Sequence, residues 1–158
     1  DAQESRGLGD VYKRQILYGM KQCDIMKISE EEVAFVSEQE SLEKGVSFIR
    51  DNSDIKILFV TLGNKGSIAY YKDEKIYCGG IHQEHVVDTT GAGDTFCGAV
   101  LSRILELGTD ALTEKDIREM LLFANAAASI VVTRKGALCS MPEPEEIRAA
   151  SSLIDKVL

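Results

Sequence analysis

The order of apolar and polar residues predicts that strands precede most of the helices along this chain. Residues 55–61 (IKILFVT) form an apolar, β-rich run of seven, which is typical of a strand buried on both faces. Residues 67–71 and 75–78 flank a polar turn and predict a β-hairpin, and a further extended segment is expected up to Val87. Strands that give way to helices favour a three-layer α/β sheet.

Helix boundaries are indicated by capping residues and by apolar spacing. Ser29 and Glu32 form an S-x-x-E capping box, which predicts a helix that ends near Ser37. Helices are predicted to begin near residues 29, 41, 94, 113 and 142. The helix from Asp94 to Leu107 repeats apolar residues at helical spacing, so one of its faces is expected to be buried. That predicted face consists of Phe96, Cys97, Val100, Leu101, Ile104 and Leu105.

The first residues of the chain differ from the rest because they are polar and show no period. Residues 6–15 (RGLGDVYKRQ) resemble translated sequencing-adapter sequence. We therefore predict that residues 1–15 are a non-native leader and exclude them from the reasoning about the fold. On this interpretation the natural sequence was cut just before Ile16.

Length, composition and charge exclude several classes of protein. A chain of 158 residues predicts a single folding unit, and 44% hydrophobic with 28% charged residues is typical of soluble globular proteins. The net charge of -8 disfavours nucleic acid as a partner, because a phosphate backbone would be repelled. No apolar run approaches the roughly 18 residues of a spanning helix, and no signal-peptide pattern is present. We expect a cytoplasmic protein with no membrane partner.

The cysteines and histidines do not suggest a metal site. Cys23, Cys78, Cys97 and Cys139 are widely spaced without a C-x-x-C pair, which favours reduced, buried thiols over disulfides or metal ligation. His82 and His85 are three residues apart on a segment expected to be extended, where they would face opposite sides. A pair of solvated side chains is the better interpretation.

Residues 87–96 (VDTTGAGDTF) combine a predicted strand end, a glycine loop and an immediate helix start. Glycines allow close approach of the backbone to a ligand, and a helix N-terminus directs free N–H groups and partial positive charge at it. The pattern therefore predicts an anion hole. It matches neither G-x-x-x-x-G-K-[ST] nor G-x-G-x-x-G, so common nucleotide-binding loops are disfavoured.

Asp94 is an unexpected residue for this loop because a carboxylate weakens anion binding. One interpretation is a general base that takes the proton of an attacking hydroxyl while backbone amides hold a phosphoryl group. The other is a helix N-cap, a position at which Asp is favoured. Spacing alone does not separate these two interpretations.

The segment D-T-T-G-A-G-D-T-F is similar to the signature of the PfkB/ribokinase family of carbohydrate kinases. The likeness extends over residues 24–147. It implies a three-layer ribokinase-like sheet with helices on both faces, of which residues 16–158 would be the C-terminal part and the N-terminal half would be missing. It further implies ATP-dependent phosphorylation of a sugar hydroxyl. In that family the position of Asp94 is the catalytic base, and the amides of Gly91, Ala92, Gly93 and Asp94 form the anion hole.

The same resemblance implies which residues bind ATP and Mg²⁺. The turn that contains Thr61, Gly63 and Gly66 would line the nucleotide together with Gly93, although without the family it is an ordinary turn. Asn125 would border the adenine, and its alternative is a satisfied core residue. The family's N-x-x-E motif corresponds to Lys27 through Glu30. Lys27 would then contact the nucleotide and Glu30 would bind Mg²⁺ indirectly, whereas the residues alone suggest a helix-start charge at Glu30.

Relatives also hold a monovalent cation beside the anion hole, which implies K⁺ as a further cofactor. Asp88 is the matching carboxylate. Carbonyl oxygens and one hydroxyl would complete the site, from Thr90, Val131, Arg134, Gly136 and Ser140. Without the family, residues 133–137 are simply a basic turn.

Fructose is the expected sugar, because residues 26–32 and 123–136 look most like fructokinases. A ribokinase or a 2-keto-3-deoxygluconate kinase is the alternative within the family, and a non-catalytic nucleotide-binding remnant is the alternative outside it. The expected partners are a small sugar and ATP, with a homodimer in the full-length protein. The chain by itself is expected to be a truncated fragment that is inactive as a sugar kinase.

Overall fold

A computed structural model describes the backbone of residues 2–154 and the side chains of residues 11–151. Asp1 and residues 155–158, which include the predicted end of the last helix, lie outside the described residues. The chain divides into two compact units, Asp1–Val60 and Thr61–Leu158. Strands and helices occur together, so the predicted α/β class is confirmed.

The first unit begins with a long helix. Its elements are α1 (Ala2–Met20), β1 (Ile25–Ser29), α2 (Glu30–Ser37), α3 (Leu42–Asp51) and most of β2 (Ile57–Thr61). Helix α1 thus covers most of the residues assigned to a leader, and Lys13 of this helix pairs with Glu38 at 2.5 Å. The assignment of residues 1–15 to a non-native leader stays a prediction.

Local sequence signals explain most boundaries in this unit. Ser29 Oγ accepts from the amide of Glu32 at 3.2 Å, and the Glu32 carboxylate accepts from the amide of Ser29 at 2.7 Å, so the predicted capping box is confirmed. Ser41 caps α3 through one bond, in which its hydroxyl accepts from the amide of Lys44 at 3.4 Å. In β2, residues 57–60 are all at most 1% exposed, which confirms the prediction of a strand buried on both faces.

The second unit contains a hairpin and three helices. Strands β3 (Gly66–Tyr71) and β4 (Glu74–Gly79) pair antiparallel, with Gly66 opposite Gly79, and confirm the predicted hairpin. Helices α4 (Ala92–Leu107), α5 (Glu114–Val131) and α6 (Pro144–Ile154) follow. The apolar helix α5 packs against α4, α6 and both strands of the hairpin, and so forms the centre of this unit.

Two local predictions were wrong. The extended segment before Val87 is irregular over residues 80–91, and the amides of Val87 and Asp88 bond to the carbonyl of Val132 instead of to a strand. In α4, Leu101 and Leu105 are 40% and 87% exposed. The buried residues of α4 are Thr95, Phe96, Ala99, Val100 and Ile104. These residues form a narrower buried stripe than the sequence predicted, so the predicted buried face was too wide.

All four cysteines are free, as predicted, but their burial differs. Cys78 is buried, Cys23 and Cys97 are intermediate, and Cys139 is exposed, so the expectation of buried thiols was wrong for Cys139. Both histidines are exposed. Among the side chains that the structure describes, those of residues 11–151, no group of three or more His, Cys, Asp or Glu could hold a metal ion. Over the described backbone, residues 2–154, no helix is long and apolar enough to cross a membrane.

Candidate active site

The glycine loop of the second unit ends in a left-handed residue that begins α4. Gly91 is the N-cap of α4 and has φ 83°, a conformation that favours glycine. A Cβ at this position would lie 3.0 Å from the Cβ of Ala137, so a side chain would also be crowded. Gly91 therefore allows both the turn and its close approach to the loop that follows α5.

The backbone amides at the N-terminus of α4 point out of the helix. The first bond of the helix runs from the amide of Thr95 to the carbonyl of Gly91 at 2.8 Å, so the preceding amides have no partner within the helix. Among them, the amide of Ala92 bonds to Thr89 at 3.3 Å. The amides of Gly91, Gly93 and Asp94 have no such turn bond, and with the helix dipole they provide the donors that an anion hole requires.

Asp94 is the third residue of α4, in its first turn. The interpretation of Asp94 as the N-cap was wrong, because Gly91 occupies that position. A capping box is also impossible, since glycine offers no side-chain oxygen. The Asp94 side chain is exposed, and no described residue hydrogen-bonds to its carboxylate or pairs with it. A solvent-facing carboxylate beside an anion hole can accept a proton from a bound hydroxyl.

Asp88 connects the glycine loop to the loop after α5. One carboxylate oxygen accepts from the amide of Thr90 at 2.9 Å, and the other accepts from the amide of Gly136 at 3.1 Å. The hydrogen bonds from Thr90, followed by the one from Gly136, hold the pKa of Asp88 below its ordinary value. The carboxylate is therefore kept charged while it aligns two loops.

The loop after α5 is held by side chains as well. Arg134 pairs with Glu146 of α6 at 2.5 Å and reaches the carbonyl of Ser140 at 3.5 Å. The hydrogen bond from Arg134 lowers the pKa of Glu146. Ser140 is 1% exposed, and its hydroxyl donates to the carbonyl of Lys135 at 2.8 Å.

The residues predicted to bind a monovalent cation are partly brought together. Asp88 bonds directly to the backbone of Thr90 and Gly136, and Ser140 lies four residues further along the same loop. The carbonyl of Val131 accepts from the amide of Arg134 at 3.0 Å, as in the last turn of a helix. The assignment of this set to K⁺ stays a prediction.

The predicted nucleotide turn is folded tightly against the end of the hairpin. The amide of Leu62 bonds to the carbonyl of Gly66 at 2.8 Å, and the amide of Gly80 bonds to Lys65 at 3.1 Å. Gly66 has φ 108°, and a Cβ there would lie 2.2 Å from the carbonyl oxygen of Cys78. Only glycine allows this backbone-to-backbone contact. Thr61 and Gly63 precede it, at the end of β2 and in the turn.

Asn125 lies on α5 and is 7% exposed. Its carbonyl oxygen accepts from the hydroxyl of Ser67 at 2.9 Å, and its amide nitrogen donates to the carbonyls of Cys78 and Gly79, each at 3.2 Å. This geometry agrees with the alternative of a satisfied core residue. Contact with adenine stays a prediction.

Lys27 and Glu30 belong to the first unit. Lys27 lies on β1 and Glu30 is the first residue of α2, and both are half-buried. Their predicted roles with the nucleotide and with Mg²⁺ stay predictions.

The structure adds four residues that sequence reasoning missed, which are Ser67, Tyr77, Ala137 and Glu146. Only Ser67 carried a local signal, as a polar residue next to Gly66 at the start of an apolar strand.

Comparison with known proteins gives consistent similarities. The family model described as "pfkB family carbohydrate kinase" matches residues 4–144, a range that includes part of the predicted leader. Fructokinase-1 of Zea mays is 39% identical over 137 residues, which are 85% of this chain and 42% of the relative. Fructokinase-1 of Oryza sativa subsp. japonica is 38% identical with the same coverage. The chain thus spans less than half the length of these curated relatives.

Solved structures agree with the sequence relatives. Fructokinase from Vibrio cholerae O395, in fructose, ADP and calcium ion bound form, is 30% identical with a TM-score of 0.76, over 92% of this chain and 45% of that one. Ribokinase from Arabidopsis thaliana, complexed with ribose and ATP, is 33% identical with a TM-score of 0.71, over 84% and 42%.

Proposed function

Because the chain belongs to the pfkB family of carbohydrate kinases, we propose that it forms the nucleotide-binding and catalytic part of an enzyme that phosphorylates a sugar. The observation that carries this proposal is the start of α4. There a left-handed glycine cap presents backbone amides, and an exposed carboxylate follows three residues later. A phosphate cradle combined with a proton acceptor suits phosphoryl transfer to an alcohol.

In the proposed reaction, Asp94 takes the proton of the sugar hydroxyl. At the same time the oxygen of that hydroxyl bonds to the terminal phosphorus of ATP. The bond from that phosphorus to the bridging oxygen breaks, and ADP leaves with the electron pair. The amides of Gly91, Gly93 and Asp94 stabilise the negative charge that develops on the transferred group, and the amide of Ala92, which bonds to Thr89, would have to exchange that bond to join them. The Thr61–Gly66 turn would line the nucleotide, and Asn125 lies behind the end of the hairpin that contacts this turn.

Mg²⁺ would neutralise phosphate charge when bound. Glu30 is proposed to act on this ion only indirectly, as the resemblance to the family implies. K⁺ would lie against Asp88 and the carbonyls of the loop after α5, where it would fix the two loops without contacting substrate.

Fructose is the proposed acceptor, and its support is the similarity to plant fructokinases. Ribose is the second candidate, because the ribokinase of Arabidopsis thaliana is as similar in sequence as the fructokinase of Vibrio cholerae. A 2-keto-3-deoxygluconate kinase has no such support among these relatives. A homodimer of the full-length protein and a cytoplasmic location are further proposals.

We also propose that the chain alone binds nucleotide without phosphorylating sugar. Its 85% match covers only 42% of maize fructokinase-1, and no described side chain is assigned to the sugar. The test measures ATP binding by calorimetry and fructose and ribose phosphorylation by a coupled assay. The 158-residue chain is assayed with and without the co-expressed part of maize fructokinase-1 that it does not cover. Nucleotide binding with transfer only in the complemented enzyme is expected, and robust transfer by the fragment alone would refute the proposal.

A further inference from the structure

The side-chain amide of Asn125 forms its hydrogen bonds with residues at the open end of the β3–β4 hairpin. Its two N–H groups are matched by two carbonyls, those of Cys78 and Gly79, and its oxygen accepts from Ser67. The side chain is buried, so these bonds are not exchanged for water. Asn125 therefore has no N–H left to donate to a base.

The end of the hairpin is in turn joined to the Thr61–Gly66 turn by backbone contacts. Gly80 donates to the carbonyl of Lys65, and a Cβ at position 80 would lie 2.2 Å from the carbonyl oxygen of Asn64. The hydroxyl of Tyr77 donates to the same carbonyl of Lys65 at 2.7 Å. Because the two backbones are in direct contact at Gly80, a small shift of residues 78–80 is expected to displace the turn.

We infer that Asn125 is a positioning residue that sets the nucleotide turn through the hairpin, and that it does not read the adenine itself. This inference rests on the proposed nucleotide-binding function. Losing the amide would remove the partner of the buried Ser67 hydroxyl and one hydrogen bond each from the carbonyls of Cys78 and Gly79, which would loosen the hairpin end and the turn behind it. The phosphate cradle at Gly91 is formed by other residues and would keep its geometry.

The test is a calorimetric titration of the 158-residue chain with Mg-ATP, Mg-GTP and inorganic triphosphate. The variants are Asn125→Ala, Ser67→Ala and Tyr77→Phe, which disturb the same chain of hydrogen bonds at three points. Ser129→Ala is the matched control, because Ser129 is equally buried on the same helix but donates only to the carbonyl of Ala126. Amide hydrogen exchange at Gly80 reports the bond to Lys65 independently of ligand.

We expect Asn125→Ala to weaken ATP binding about tenfold and each of the two milder variants to weaken it about threefold, as for lost hydrogen bonds of ordinary strength. The ratio of ATP to GTP affinity and the affinity for triphosphate should stay unchanged, Gly80 should exchange faster, and Ser129→Ala should match the wild type. The milder variants decide the question if Asn125→Ala does not fold.

A direct hydrogen bond from Asn125 to the adenine would give different affinities and exchange rates in these variants. Asn125→Ala would then change the ratio of ATP to GTP affinity, while Ser67→Ala and Tyr77→Phe would bind ATP and exchange Gly80 like the wild type, and the inference would be overturned. A wild-type chain that binds no nucleotide would instead overturn the proposed function. In that case the exchange of Gly80 would still decide whether Asn125 holds the turn.

Discussion

The carboxylate of Asp88 accepts a hydrogen bond from the amide of Gly136 at 3.1 Å, although the two residues are 48 positions apart. The other oxygen of the same carboxylate accepts from Thr90, so one side chain ties the glycine loop to the loop after α5. Ala137, the residue after Gly136, lies against Gly91. The shape of the proposed anion hole therefore depends on residues from two distant parts of the second unit.

Replacing Asp88 by Asn should make the stability of the chain less sensitive to acid. The pKa of Asp88 is lowered in the folded state, so its contribution is present above the unfolded value of about 3.9 and is lost as the pH falls through the folded value. The difference in Tm between wild type and Asp88→Asn should be constant near neutral pH and should shrink below about pH 4. Thermal unfolding from pH 7 to pH 3 measures this, and a difference independent of pH would contradict it.

Asp94→Asn should abolish turnover in the complemented enzyme and leave ATP affinity within a few-fold of the wild type. The amide keeps the shape of the side chain but cannot accept the proton, and such bases contribute roughly 10² to 10⁴ in rate. Steady-state kinetics and calorimetry give the two quantities. If the variant retained more than about a tenth of kcat, Asp94 would not be the base.

Gly91→Ala should destabilise the chain by about 1–3 kcal/mol and weaken triphosphate binding, because the residue has positive φ and faces Ala137. Gly98→Ala is the control on the same helix, where a Cβ would meet nothing within 4 Å. That change should stabilise the helix by up to about 1 kcal/mol. Urea unfolding of both variants is the measurement, and equal effects of the two would refute the role of Gly91.

Adding Ala137→Gly to Gly91→Ala separates crowding from backbone strain. The second change removes the methyl group that the new Cβ would approach at 3.0 Å. It should restore part of the lost stability, and the remainder measures the cost of positive φ. If the loss of stability in the double variant equalled the sum of the losses in the two single variants, the whole effect of Gly91→Ala would come from the positive φ.

Potassium should activate the complemented enzyme more than sodium does. The proposed site combines Asp88 with carbonyls of the loop that ends at Ser140, and a cation there would hold the two loops in register. Rates at equal ionic strength in K⁺, Na⁺ and tetramethylammonium provide the comparison. Equal rates in K⁺ and tetramethylammonium would exclude the cation role.

The sequence by itself determined the features that depend on neighbouring residues. The capping box at Ser29, the hairpin over residues 66–79 and the buried run in β2 were all predicted to within a few residues. The glycine loop next to a helix start was also predicted, and the structure has Gly91 of this loop as the N-cap of α4. These signals are local, since caps, turns and alternating patterns need only residues a few positions apart.

Tertiary structure alone decided the partners of the candidate site and its detailed geometry. Asp88 bonds to Gly136 and Asn125 to the end of the hairpin because the packing of α5 brings distant segments together. It also decided that Gly91 is the helix cap and that Leu105 stays exposed, against the sequence prediction. Helical spacing specifies which residues share a face, whereas the width of the buried stripe depends on the neighbours that cover it, and no local pattern encodes those neighbours.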